Sequence, residues 1–135
     1  MGSQSTLSAK WYTPPPEIFL QKPFEGESFG YDSKACIDVC AVYRHLINQP
    51  ERQVLNLNIV AFAPWLEQVT LDLKSVRSAD ISKAGIAITY HGAFFLIDGN
   101  HRMKRRLELG LKHMPVYLLD ASEAQPFMTG ELITI

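Results

Sequence analysis

The sequence predicts an α+β domain, a small mixed β-sheet with flanking helices. Three observations lead there. Alternating or wholly apolar runs at 54–62, 86–90, 93–97 and 116–119 read as strands. Segments at helical spacing lie between them, including one strand–turn–helix–strand unit from Ala93 to Leu119. With 135 residues, 47% hydrophobic and 20% charged, the chain suits one domain that folds without disulfide or metal.

Residues 1–31 read as an irregular arm packed on a single domain spanning 32–135. Pro14-Pro15-Pro16 favours extended polyproline II and forbids a helix there. Trp11, Tyr12, Ile18, Phe19, Leu20 and Phe24 are too apolar for a free tail. Asp32 or Ser33 is the expected cap of a helix placing Cys36, Val39, Cys40, Tyr43 and Ile47 on one face. The stretch 37–43 is β-rich enough to be a strand instead. Val54–Phe62 alternates, with Leu55, Leu57 and Ile59 on one side, and ends before Pro64. The segment 66–76 fits either a helix or a strand. Asp80–Ala84 reads as a helical turn closed by Gly85.

The second half gives sharper expectations. Ile86–Tyr90 and Ala93–Ile97 form a hairpin over His91-Gly92, and the second strand, apolar on both faces, should be central. A helix from about His101 to Leu109 turns Met103 and Leu107 inward and is capped by Gly110. Pro115 ends the connection to a buried strand at Val116–Leu119. Asp120-Ala-Ser-Glu123 resembles a capping box, and 127–135 could add an edge strand.

Charge and composition exclude several function classes. The formal charge of −1 argues against a generally basic nucleic-acid binder. No run of about 18 apolar residues exists to span a membrane, and no charged-then-apolar leader opens the chain, so a cytoplasmic protein is expected. Cys36 and Cys40 lack the spacing of a metal or redox pair and read as buried free thiols. Met1-Gly2-Ser3-Gln4-Ser5-Thr6 matches a myristoylation pattern, against the blander reading of a polar start.

The chemistry concentrates at Asp98-Gly99-Asn100-His101-Arg102. A buried strand ends in an acid, a glycine permits an unusual turn, and a helix begins with unpaired N–H groups that attract anions. His101 and Arg102 add donors there. Residues 98–113 hold five Lys and Arg against Asp98 and Glu108, a net of +3. Since the whole chain carries −1, the remainder carries −4. The alternative is plain: Asp98 or Asn100 caps the helix, Arg102 and Arg106 form a solvated face, and Lys104–Glu108 is a surface pair. His45, His91 and His113 lack ligand spacing, and no P-loop, dinucleotide, zincin or hydrolase motif occurs.

Ser82-Lys-Ala-Gly85-Ile-Ala-Ile, His91-Gly92-Ala-Phe-Phe-Leu-Ile-Asp-Gly-Asn-His-Arg102 and Leu107-Glu-Leu-Gly110-Leu-Lys-His-Met-Pro115-Val-Tyr-Leu resemble, in that order, the N-terminal domain of the ParB/sulfiredoxin superfamily. The resemblance covers residues 79–119. It implies nucleotide binding at the glycine turn, with Gly99, His101 and Arg102 on phosphate-contacting positions. Asp98 falls where the superfamily's free-serine kinases have a functional acid. Asn100 stands where sulfiredoxin has its reactive cysteine, so sulfiredoxin chemistry is not expected. Partition proteins continue into a helix-turn-helix reader that these 135 residues do not match, so sequence-specific partition-site binding is not expected either.

The resemblance implies a stand-alone ParB-like protein of a plasmid, phage or other mobile element. As an enzyme it would hydrolyse nucleotide or cut DNA. ATP or another NTP would be clamped by Gly99, Asn100, His101, Arg102, Arg105 and Arg106, with Asp98, His101 and Arg102 catalytic. Asp98 would hold Mg²⁺ or orient water, with Glu67, Asp72 or Asp80 as the second carboxylate. A small-molecule kinase is a variant of the same site. The competing expectations are a non-catalytic module that binds nucleotide or DNA backbone, and an adaptor that has lost the ligand. A protein partner could dock through the N-terminal arm.

Overall fold

In the computed structural model the described residues are 4–7, 14–30, 35–67, 69–90 and 92–130. They form a mixed α+β fold built on two small sheets. The larger has β1 (Gln4–Leu7), β4 (Val54–Asn58), β7 (His113–Leu119), β5 (Gly85–Tyr90) and β6 (Ala93–Asp98) side by side in that order. All its pairings are antiparallel except β5 with β7. The smaller sheet sets β3 (Ala35–Asp38) between β2 (Ser28–Gly30) and β8 (Met128–Gly130), antiparallel throughout.

Both faces of the larger sheet are covered. Ile86, Ile88, Ile97, Tyr117 and Leu119 face α2 (Val39–Ile47) and the smaller sheet through Val42, Tyr43, Leu46, Ile37 and Met128. Ala87, Leu96, Met114 and Val116 pack on the other side, with Leu66 of α3 (Ala63–Leu66) and Met103 of α5 (Asn100–Glu108). The period of two in β5 thus feeds two cores at once.

Several expectations need correction. β6 is apolar on both faces yet lies at the sheet edge, because helices cover its faces while only β5 pairs with it. Pro14-Pro15-Pro16 does not exclude a helix. Pro15 is extended, and Pro16 opens α1 (Pro16–Phe19) at the first helical position, where the missing N–H costs nothing. Stretch 35–47 is neither one helix nor one strand but β3 followed by α2, capped by the Asp38 carboxylate accepting from Ala41 N at 3.1 Å. Asp32 and Ser33 lie outside the described residues, as does His91 of the hairpin turn. Gly85 is no helix cap, since Ile81–Lys83 are turn and bend and Gly85 begins β5. Stretch 66–76 holds the end of α3 and most of α4 (Leu73–Arg77). Pro115 lies inside β7, opposite Asn56.

Other expectations hold. α5 runs within a residue of its expected bounds, with Met103 fully buried and Gly110 left-handed at φ +81°. Asp120 caps α6 (Ala121–Ala124) by accepting from Glu123 N at 2.8 Å. The segment expected to be irregular instead contributes β1 to the edge of the larger sheet, α1, and β2 to the smaller sheet, and Leu20 is buried beside Ala84. Both cysteines are free, Cys40 buried and Cys36 partly so. No helix among the described residues is long and apolar enough to cross a membrane.

Candidate functional site

The β6–α5 junction sets the site. Gly99 sits at φ +108°, and no side chain caps the helix it opens. A Cβ at Gly99 would come within 2.9 Å of Met114 Cε and 3.2 Å of Gly85 Cα. A Cβ at Gly85 would meet Asp98 O at 2.9 Å and Met114 Cε at 2.8 Å. The turn therefore needs glycine twice over: at 99 for a left-handed backbone and close approach, at 85 for close approach alone. The first N–H groups of α5 are left for another acceptor, at the positive end of the helix dipole.

That end opens on a cavity of about 730 Å³. Three stretches line it: Gln21, Lys22, Pro23, Phe24 and Glu27 of the 21–27 segment, then Ser75, Ser78, Ala79, Asp80 and Lys83, and lastly Asp98, Gly99, His101 and Arg102 at the β6–α5 junction. Its volume falls in the range of small-molecule sites.

Arg102 ties two of these stretches together. Its guanidinium is almost wholly buried and donates to Asp98 Oδ2 at 3.0 Å, to Ala84 O at 3.2 Å and to Gln21 Oε1 at 2.8 Å. Nε is buried without a partner. Three of its five N–H groups are thus committed to protein, so Arg102 is anchored in the fold rather than wholly free as the phosphate fork that its position in the sequence indicates. His101, the next residue back on the helix, faces the cavity half-buried.

Three carboxylates share the cleft with three cations. Burial pushes Asp98 above the ordinary carboxylate range, and Arg102 opposes that shift. Glu27 is raised by its own burial and then by the charge of Asp98, while Phe24 N, donating to Glu27 Oε1 at 3.3 Å, pulls the other way. Asp80 is lowered by donors from Ser82, Oγ at 2.5 Å and N at 3.0 Å. Lys22, Lys83 and Arg102 balance these formally, and Lys83 Nζ donates to Ile18 O at 2.6 Å.

The structure thus brings together Asp98, Gly99, His101 and Arg102 and separates the rest. Asn100 is buried away from the cavity, accepting from Trp65 Nε1 at 2.8 Å and donating to Leu96 O at 3.0 Å. Arg106 donates to His113 O at 2.9 Å and Ile81 O at 2.5 Å, and neither it nor Arg105 lines the cleft. Among the expected second carboxylates only Asp80 lies there. Asp72 caps α4 by accepting from Ser75 N at 3.1 Å, and Glu67 ends α3 at the surface. Glu27 was not foreseen: it lies far from residue 98 in sequence, in a turn without a motif. Comparison with protein-family models, with curated proteins and with solved structures finds no match.

Proposed function

We propose that the cleft binds the phosphates of a nucleotide, in a ParB-like domain acting in DNA transactions through nucleotide hydrolysis or non-specific DNA cleavage. One observation carries the reading. A left-handed glycine delivers an uncapped helix start into a roomy cleft that also holds His101, Lys22 and Lys83. The phosphates would lie on the first amides of α5, with His101 and Lys83 as side-chain donors. Arg102 acts as a positioning residue, holding Asp98 in place.

The carboxylates fit a magnesium ion that arrives with its nucleotide. Among the described residues no three His, Cys, Asp or Glu are grouped to hold a metal unaided. Mg²⁺ commonly uses one or two carboxylates together with substrate phosphates, and Asp98, Glu27 and Asp80 share this cleft with the phosphate position. When bound, the ion would neutralise phosphate charge against these carboxylates. Glu27, raised above the usual carboxylate range, is then the candidate to orient water or accept a proton.

A second reading, a module that binds nucleotide without turnover, is favoured by the Asp98–Arg102 pair, which already occupies one oxygen of the Asp98 carboxylate. A kinase for a small hydroxyl compound would use the same site. The test is a thermal-shift panel of ATP, ADP, CTP and GTP with Mg²⁺, followed by phosphate release and plasmid nicking. Stabilisation with turnover supports the enzyme, stabilisation without it the binding module, and no stabilisation removes the nucleotide reading. His101→Ala should weaken binding by about 1.5–3 kcal/mol, the scale of one hydrogen bond to a charged group, while the fold persists. Unchanged affinity would move the phosphates off the start of α5.

A further inference from the structure

Phe24 is 72% exposed, the most exposed large apolar side chain among the described residues, and it lines the cleft together with Lys22 and Glu27. Its backbone is held on three counts. Cys40 Sγ donates to Phe24 O at 2.9 Å, Glu27 N donates to the same oxygen at 3.1 Å, and Phe24 N donates to Glu27 Oε1 at 3.3 Å. Gly26, at φ +83°, closes this turn. The ring belongs to neither buried cluster. A pinned backbone carrying an aromatic ring out into water has no packing purpose in the fold.

We propose that Phe24 is a stacking platform for the base of the nucleotide whose phosphates lie at the start of α5. The inference rests on the phosphate reading and extends it to the other end of the ligand. The same cleft is lined by the first residues of α5, by Lys83 and by the Phe24 ring, which are the polar and aromatic groups that a nucleotide requires. A flat ring accepts any base by its π-face, so Phe24 gives affinity for the base without choosing among bases. The cavity of about 730 Å³ is in the size range of small-molecule sites and can hold a nucleotide-sized ligand.

The experiment compares ADP, CDP, GDP and UDP with pyrophosphate, which keeps two phosphates and lacks sugar and base. Titrations use the full chain, Phe24→Ala and Phe24→Trp; the exposure of the side chain leaves the core intact in both variants. Phe24→Ala should weaken all four nucleotides by about tenfold and leave pyrophosphate unchanged, while Phe24→Trp retains nucleotide binding. Nucleotide affinities unmoved by Phe24→Ala, or nucleotide and pyrophosphate weakened alike, would overturn the platform and leave the phosphate site standing. If the unmodified chain binds neither pyrophosphate nor any nucleotide, the phosphate reading itself falls and the platform with it.

Discussion

Arg102 and His101 are neighbours on one helix turn with opposite duties. Arg102 is buried and satisfies Asp98, Gln21 and the Ala84 carbonyl, whereas His101 faces the cleft. Arg102→Ala should therefore destabilise the fold by about 3–5 kcal/mol, because it strands a buried carboxylate. Asp98→Asn added to Arg102→Ala should recover part of that loss, since the stranded charge disappears. Denaturant titrations of the single and double variants check both outcomes; a fully stable Arg102→Ala would return the guanidinium to ligand binding. The glycine turn, the acid and the helix start were legible in the sequence because they are contiguous. What the sequence could not display was commitment: a guanidinium near a phosphate position looks the same whether its nitrogens are free or spent. Glu27 was illegible for another reason, since it lies 71 positions before Asp98 and only the fold brings both to one cavity.

At the scale of elements, local signals predicted α5, the hairpin strands and the Asp120 cap, where periodicity and capping agree. They failed where pairing decides. Nothing in Ala93–Asp98 tells an edge strand from a central one when helices cover both its faces, and the β3–α2 junction switches period within a few residues. Glu123 illustrates the gap. Its place in the capping box was visible, yet its carboxylate pairs with Arg52 and with His45 Nε2 at 2.7 Å, joining α6 to α2 and the chain before β4. Arg52 holds the carboxyl well below its usual range, at about 2, with His45 assisting. A depressed folded value means stability that is complete above the ordinary value near 4.5 and lost as pH falls through about 2. Glu123→Gln should thus cost about 1 kcal/mol near neutrality, after allowance for the partial exposure of the pair. The gap to the unmodified chain should close in acid. A gap that persists undiminished at pH 2 would assign the loss to packing instead.

For the molecule as a whole, the question is how far its charge pattern reaches a polyanion. Residues 98–113 carry five cations, but the fold withdraws two of them: Arg102 is buried, and Arg106 donates to His113 O and Ile81 O. Lys104 and Lys112 are exposed and Arg105 is half-buried, leaving three to meet a DNA backbone. The remainder of the chain carries −4 and repels it. If each neutralised phosphate contributes roughly −0.9 to the log–log salt slope, DNA binding should show a slope of about −2 to −3. It should also be insensitive to sequence, because no direct base readout follows from backbone contacts by three cations. Lys104→Glu combined with Lys112→Glu should abolish it without weakening ADP, because neither lysine lines the cleft proposed for the nucleotide. A mobility-shift titration across salt concentrations decides the matter. A slope near −6, or a complex that survives high salt on one sequence alone, would mean that a larger surface than this ridge engages DNA.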